Sequence, residues 1–214
     1  LMLGGATINQ LNTVRKHLSA VKGGKLAMAA RHARRVVGLI ISDVVGDPLD
    51  VIASGPTVAD SSTAEEALAI LDKTYGSREK LPDSVRSVLE AERDVPSIFP
   101  VNVTNQIVGS NRVAMEAAAV AAEQRGYAVH SLGSAKEGVA DEQGRELAKL
   151  AVEIRDRSKP VAPPVCILSG GEPVVHFTPD VEQRKGGRNQ QLALATLVEL
   201  QQHGSERIAL VSGG

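Results

Sequence analysis

The sequence predicts an α/β protein with a mostly parallel, three-layer sheet and part of a second α/β domain. Three observations carry this. Short runs rich in Val and Ile alternate along the 214 residues with longer amphipathic or alanine-rich stretches, the pattern of strand–loop–helix units. Glycine-bearing turns follow several of those runs, as at Gly109-Ser110 and Gly170-Gly171. Apolar residues make up 43% of the chain, enough for a sizeable core.

The elements follow in order. Residues 6–20 carry Ile8, Leu11, Val14 and Leu18 at helical spacing, with Gly5 or Thr7 as the start and Gly23-Gly24 as the interruption. A short helix is expected over 25–32. The run 36–41 reads as a buried strand, leading into an acidic loop over 42–57. Ser61 or Ser62 is placed to cap a helix over 63–75, with Glu65 and Glu66 in its first turn and Gly76 closing it. A helix is expected from Pro82 to about Arg93, then a linker over 94–100 with two prolines.

Residues 101–108 read as a strand and 112–125 as an alanine-rich helix ended by Gly126. A strand over 127–132 and a helix over 138–157 follow, then a proline-bearing linker over 158–164. Strands are expected at 165–168, 174–177 and 208–211, a charged loop at 178–187, and a helix at 188–202. Ile167 to Gly171 and Leu210 to Gly214 share a strand-to-glycine pattern, too short to be a repeat.

Composition narrows the function classes. Lys and Arg number 24, Asp and Glu 25, and the net charge is −1, so no global basic field recruits nucleic acid. Aromatic content is 2% with no Trp, leaving few platforms for stacked bases. The one cysteine, Cys166, lies in an apolar run, which excludes a disulfide framework and points to a reducing compartment. No apolar run approaches a membrane span and none reads as a secretory leader. The expected location is the cytoplasm, with the mitochondrion as alternative. Leu1 at one end and a strand-to-glycine turn at the other suggest a fragment of a longer chain.

The chemistry concentrates in loops. The acidic loop follows a strand, where open α/β sheets place ligands. It carries Asp43, Asp47 and Asp50 beside Ser42, Ser54, Gly55 and Thr57. Such a set suits phosphate, magnesium or a small hydroxy acid, and Asp43 is best placed for Mg²⁺ or a substrate proton. The competing reading is a turn whose Asp side chains cap their own backbone. Gly170-Gly171-Glu172 and Gly186-Gly187-Arg188-Asn189 lie at a strand end and a helix start, where amides and helix dipole favour anions and Arg188 could clamp a phosphoryl oxygen. Neither matches the P-loop or G-x-G-x-x-G pattern, and a plain tight turn competes.

Arg15, Lys16, Lys22 and Lys25 surround Gly23-Gly24. Arg15 and Lys22 would share a face if the helix ran through; a solvated face is the alternative. His17, His32, His130, His176 and His203 form no metal spacing. No Ser–His or Cys–His pairing suggests a covalent nucleophile.

Together these motifs resemble the glycerate type-2 kinase family. The resemblance rests on Thr7-Ile8-Asn9, the stretch 12–19, Lys22-Gly23-Gly24, the stretch 42–57, 169–173 and 186–190, in the family's order. It implies a Rossmann-like, two-domain enzyme with the active site between domains. Such an enzyme phosphorylates D-glycerate from ATP with Mg²⁺, in serine/glycerate and fructose metabolism, possible homodimerisation included.

On that resemblance residues 1–160 form most of the N-terminal domain and 161–214 the start of the C-terminal one. Asp43 and Arg188 take the catalytic positions, and Asp43 with Asp47 the metal. Arg15, Lys16, Lys22, Ser54, Gly55, Thr57, Gly170, Gly171, Glu172, Gly187 and Asn189 are the expected substrate or nucleotide contacts. The sequence departs from the family where Gln191 replaces the usual Glu, and it lacks the family's glycine-lysine turn and Thr-Asp-Gly motif. A non-catalytic nucleotide- or sugar-phosphate-binding module, or an inactive piece of the kinase, is the alternative.

Overall fold

The computed structural model describes residues 1–91, 102–176 and 186–213. The linker expected at 94–100 and most of the charged loop at 178–187 lie outside them. Two compact units divide the chain, Leu1–Val108 and Gly109–Gly214. Each is of α/β composition.

In the first unit, α1 (Ile8–Leu18) begins at a capping box in which Thr7 and Gln10 bond each other's backbone. It stops at Leu18, short of the predicted 20, so Arg15 and Lys22 do not share a helix. A short α2 (Lys25–Ala29) follows, and β1 (Val36–Ser42) after it. The helix α3 (Ala64–Tyr75) is capped by Thr63 with Glu66, not by Ser61 or Ser62, and Gly76 ends it in the left-handed conformation at φ 82°. The last helix, α4, spans Asp83–Ala91. Val14 of α1, Ala67, Leu68 and Leu71 of α3, Leu89 of α4, and Leu81 in the turn before α4 form the core.

The strand β1 pairs with β2 (Val103–Ser110). It was expected to be a buried strand. Instead its residues alternate, and Val37, Leu39 and Ile41 stand 49%, 67% and 80% exposed. The run of apolar residues hides a period of two that only the observed covering reveals.

In the second unit, Ser110 caps α5 (Asn111–Glu123). The strand β3 (Ala128–Ser131) pairs in parallel with β4 (Val165–Leu168), Ala128 opposite Val165 and Ser131 opposite Leu168. The connection between them carries α6 (Ala140–Arg157), as a parallel pair requires. α6 packs on α7 (Arg188–His203). Their approach is set by Gly144, where a Cβ would collide with the Leu192 carbonyl and lie 3.0 Å from Ala195 Cβ. Thr196, buried opposite, donates its hydroxyl to the carbonyls of Gly144 and Leu192, both at 2.9 Å.

Two expected strands differ. At 174–177 only an isolated bridge forms, Val139 with Val174, and Phe177 lies outside the described residues. Residues 208–211 form no strand and Val211 is 97% exposed: a strand needs a partner for its backbone, and none lies beside this run among the described residues. No described helix is long and apolar enough to cross a membrane.

Candidate functional site

The candidate residues fall into two groups, one in each unit. In the first unit the acidic loop and the Lys22-Gly23-Gly24 turn are laced together. The Gly23 and Gly24 amides donate to the carbonyls of Ser54 and Gly55 at 2.9 and 2.7 Å. Lys22 Nζ donates to the Ala53 carbonyl at 2.8 Å. These bonds hold a strained run: Ala53, Ser54 and Gly55 have φ of 51°, 60° and 60°. Left-handed non-glycine residues cost about 1–3 kcal/mol each and cluster where function requires a fixed geometry.

Several predicted contact residues serve as the fasteners of this loop. Ser54 is buried and donates its hydroxyl to Asn12 Oδ1 at 3.1 Å. Gly55 is closed in by the Asp50 backbone, 3.1 Å from where a Cβ would stand. Thr57 donates to Asn105 Oδ1 at 2.7 Å, and Asn105 Nδ2 returns a bond to the Thr57 carbonyl. Lys16 is buried too, its ammonium 3.2 Å from Asp60 Oδ1. The other basic residues lie at the surface or its margin. Arg15 is exposed, with Nη1 3.4 Å from Asn12 Oδ1, and Lys25 donates to the Lys16 and His17 carbonyls at the end of α1.

Asp60 is the residue that sequence reasoning missed. Its carboxylate accepts from Lys16, from the Ser62 amide at 3.0 Å and from the Ser62 hydroxyl at 2.8 Å. His17 Nε2 lies 3.7 Å from its second oxygen. Burial works to raise this carboxyl, but the Ser62 bonds and the Lys16 ammonium outweigh it and hold it below its ordinary value. The spacing of Asp60 and Ser62 is that of an Asx turn, the one signal available in the sequence.

Asp43 stands clear of this lacework. Ser42 ends β1 and its hydroxyl oxygen accepts the Val44 amide at 3.2 Å, turning the chain. Asp43 is left exposed, with no hydrogen bond or ion pair among the described residues. Asp47 follows in the same loop at φ 54°. No cluster of three or more His, Cys, Asp or Glu gathers for a metal among the described residues. A Mg²⁺ ion that takes one or two carboxylates and fills its shell with phosphate and water oxygens needs no such cluster.

In the second unit, Gly170-Gly171-Glu172 follows β4 and Gly187-Arg188-Asn189 opens α7. Arg188 Nη1 meets Glu172 Oε1 at 2.7 Å, both side chains partly exposed. Asn189 Oδ1 accepts the Ser212 hydroxyl at 3.1 Å. The start of α7 has no side-chain cap and no acidic residue in its first turn, so its free amides and dipole are left for an anion. Gly170 differs from expectation. Its amide donates to the Gly133 carbonyl at 2.9 Å and is not a free donor. A Cβ there would strike Asn111 and Met115, and one at Gly171 would strike the Lys136 backbone. Both glycines permit close packing.

The described residues form two α/β units, one with an exposed acidic loop after β1 and the other with a helix start suited to an anion. The comparisons with known proteins are narrower. The family described as "Domain of unknown function (DUF4147)" matches residues 1–90. The chain is 42% identical to a glycerate 2-kinase of Pyrococcus horikoshii, over 91% of this chain and 44% of the relative. It is 46% identical over its full length to 47% of an Agrobacterium vitis protein bearing a provisional hydroxypyruvate reductase name. The crystal structure of a glycerate kinase from Thermotoga maritima superposes with TM-score 0.82 at 38% identity, over 94% of this chain and 46% of that one. The chain thus spans about half the length of the curated relatives it matches. The resemblance to glycerate kinases carried by the sequence motifs is borne out along the chain, and so is the α/β fold.

Proposed function

We propose that the protein carrying this sequence is a glycerate kinase, moving the terminal phosphoryl group of ATP to a hydroxyl of D-glycerate. The observation that carries the reading is Arg188 at the uncapped start of α7, held by Glu172 at 2.7 Å. Phosphoryl transfer needs positioning and charge neutralisation more than covalent chemistry. One nitrogen of the guanidinium is fixed by Glu172, so the fork is oriented in advance and its remaining N–H groups face a phosphoryl oxygen. The amides of α7 and of Gly187, with Asn189, complete that anion subsite.

Asp43 accepts the proton of the attacking hydroxyl or, with Asp47, holds Mg²⁺; when bound, that ion neutralises charge on the phosphates. Arg15 and the spare protons of Lys22 are the cations for the glycerate carboxylate or nucleotide phosphates. Lys16, Ser54, Gly55, Thr57, Gly170 and Gly171 keep the loops in shape. The whole protein divides into an N-terminal domain containing 1–160 and a C-terminal one beginning within 161–214.

The test is a coupled ADP-release screen of the full-length protein against small hydroxy acids, with phosphorus NMR to identify the hydroxyl modified. ADP formation dependent on D-glycerate supports the kinase. The Agrobacterium relative's name suggests a second reading, since reducing the ketone of hydroxypyruvate yields glycerate. NADH or NADPH consumption with hydroxypyruvate and no ADP with glycerate would replace the kinase by that reductase. ATP binding with neither reaction would leave a non-catalytic nucleotide-binding module.

A further inference from the structure

The Lys22-Gly23-Gly24 turn rests on a buried ionic cluster. Lys16 and His17, at the end of α1, are 8% and 7% exposed, and the side chain of their partner Asp60 is 8% exposed. A buried ion pair is weak evidence for stability. Desolvating two charges cancels much of their attraction, and an apolar pair of similar volume holds two elements together as well or better. The cluster is better explained by the geometry it fixes.

That geometry is specific. Asp60 Oδ1 accepts three donors: the Lys16 ammonium at 3.2 Å, the Ser62 amide at 3.0 Å and the Ser62 hydroxyl at 2.8 Å. Three bonds to one oxygen fix the plane of the carboxylate and leave Oδ2 toward Gly23. A Cβ on Gly23 would stand 2.9 Å from that oxygen and 3.2 Å from Lys16 Cβ. Gly23 is buried, at φ 59°, so a residue without a side chain is needed at this seat. Its backbone lies against both members of the ion pair.

Lys22 precedes the seat and is held at three points. Its amide donates to Ser19 Oγ at 3.2 Å, its ammonium to the Ala53 carbonyl at 2.8 Å, and the next amide, that of Gly23, to the Ser54 carbonyl at 2.9 Å. An ammonium carries three protons, so two remain for a ligand. A cation fixed this closely is oriented before any anion arrives.

We propose that Asp60 is a positioning residue for phosphoryl transfer: locked by Lys16 and Ser62, its carboxylate seats Gly23 and so sets where the Lys22 ammonium stands. Asp60 touches no reacting atom and acts through Lys22. The proposal rests on the kinase reading, in which Lys22 faces the glycerate carboxylate or the nucleotide phosphates. Without the charge at position 60 the buried Lys16 ammonium loses its counter-charge and turns toward water, and the Gly23 backbone packed on Lys16 Cβ shifts with it. A displacement of about 1 Å in a positioning group can cost about 10²-fold in rate.

Steady-state ADP release from D-glycerate by the full-length protein, read beside melting temperatures, tests this role. Asp60→Asn keeps the side-chain shape and is expected to lower kcat/KM at least about ten-fold. The paired variant Lys16→Met with Asp60→Leu replaces the ions by apolar side chains. It should melt close to the parent yet stay about ten-fold down in kcat/KM. Recovery of kcat/KM along with the melting temperature would mean that the cluster only holds the fold, and overturns the proposal. A cycle with Lys22→Ala reads the coupling directly and stands in if the paired variant does not fold. In the Lys22→Ala background Asp60→Asn should cost less than about two-fold, since the group it positions is already gone. The same ten-fold loss in both backgrounds overturns the proposal. A parent protein that makes no ADP from glycerate rejects the kinase reading and this role with it. A parent that turns over, with kcat/KM unchanged in Asp60→Asn, rejects the role alone.

Discussion

Asp43 and Arg188 differ from their neighbours in being free to act. Asp43 has no partner among the described residues, and Arg188 is anchored at one nitrogen only. Removing an oriented charge that stabilises a transition state costs about 10²–10³-fold in turnover. In the full-length protein Asp43→Asn and Arg188→Ala should each lower kcat by at least about 10²-fold. A near-normal kcat in either variant removes that residue from the mechanism. Asp60 belongs to the opposite kind, a carboxylate wholly engaged by Lys16 and Ser62. Its folded value lies below the ordinary 3.8. It therefore contributes stability fully present above about pH 4 and lost as pH falls through the depressed value. Asp60→Asn should flatten the acid limb of a plot of melting temperature against pH; an unaltered limb would assign acid sensitivity elsewhere. Neither the Asp60–Lys16 pair nor the burial of Lys16 was legible in the sequence, because the partners are 44 residues apart and lysine is ordinarily a surface residue.

Helix boundaries written in local chemistry were readable. The capping box of Thr63 and Glu66 and the glycine after Tyr75 set both ends of α3, and β4 forms over 165–168 as expected. Boundaries that depend on partners were not, which is why 208–211 forms no strand and β1 is covered on one face only. Gly144 is the sharpest case of a partner's influence. It reads as a weak spot in a helix, yet it sets the contact of α6 with α7. Gly144→Ala gains helix propensity of about 1 kcal/mol but forces a methyl group into the Leu192 carbonyl, an overpacking cost of about 1–3 kcal/mol. The net effect should be a lower melting temperature of the full-length protein. A rise would mean that the helices separate without penalty.

For the whole molecule, motif order along the chain was the most legible feature, since it tracks the relatives at 39–46% identity over nearly all of this chain. The division into units was less so. The two compact units divide between Val108 and Gly109, whereas the proposed domains of the whole protein part near residue 160. Both β3 with β4 and α6 with α7 are joined across that residue. Limited trypsin digestion of the full-length protein distinguishes the two. The domain proposal predicts the first cut at Arg157, beside the exposed segment 158–164. A first cut at Arg112 would place the hinge at the boundary between the compact units.

The alternating face of β1 has a practical consequence. Val37, Leu39 and Ile41 form an apolar row on a strand that pairs, among the described residues, with β2 alone. An open strand edge with such a row templates edge-to-edge association with other copies. A polypeptide limited to these 214 residues is therefore a poor subject for concentrated solution work. Leu39→Lys supplies the gatekeeper charge that would keep it dispersed.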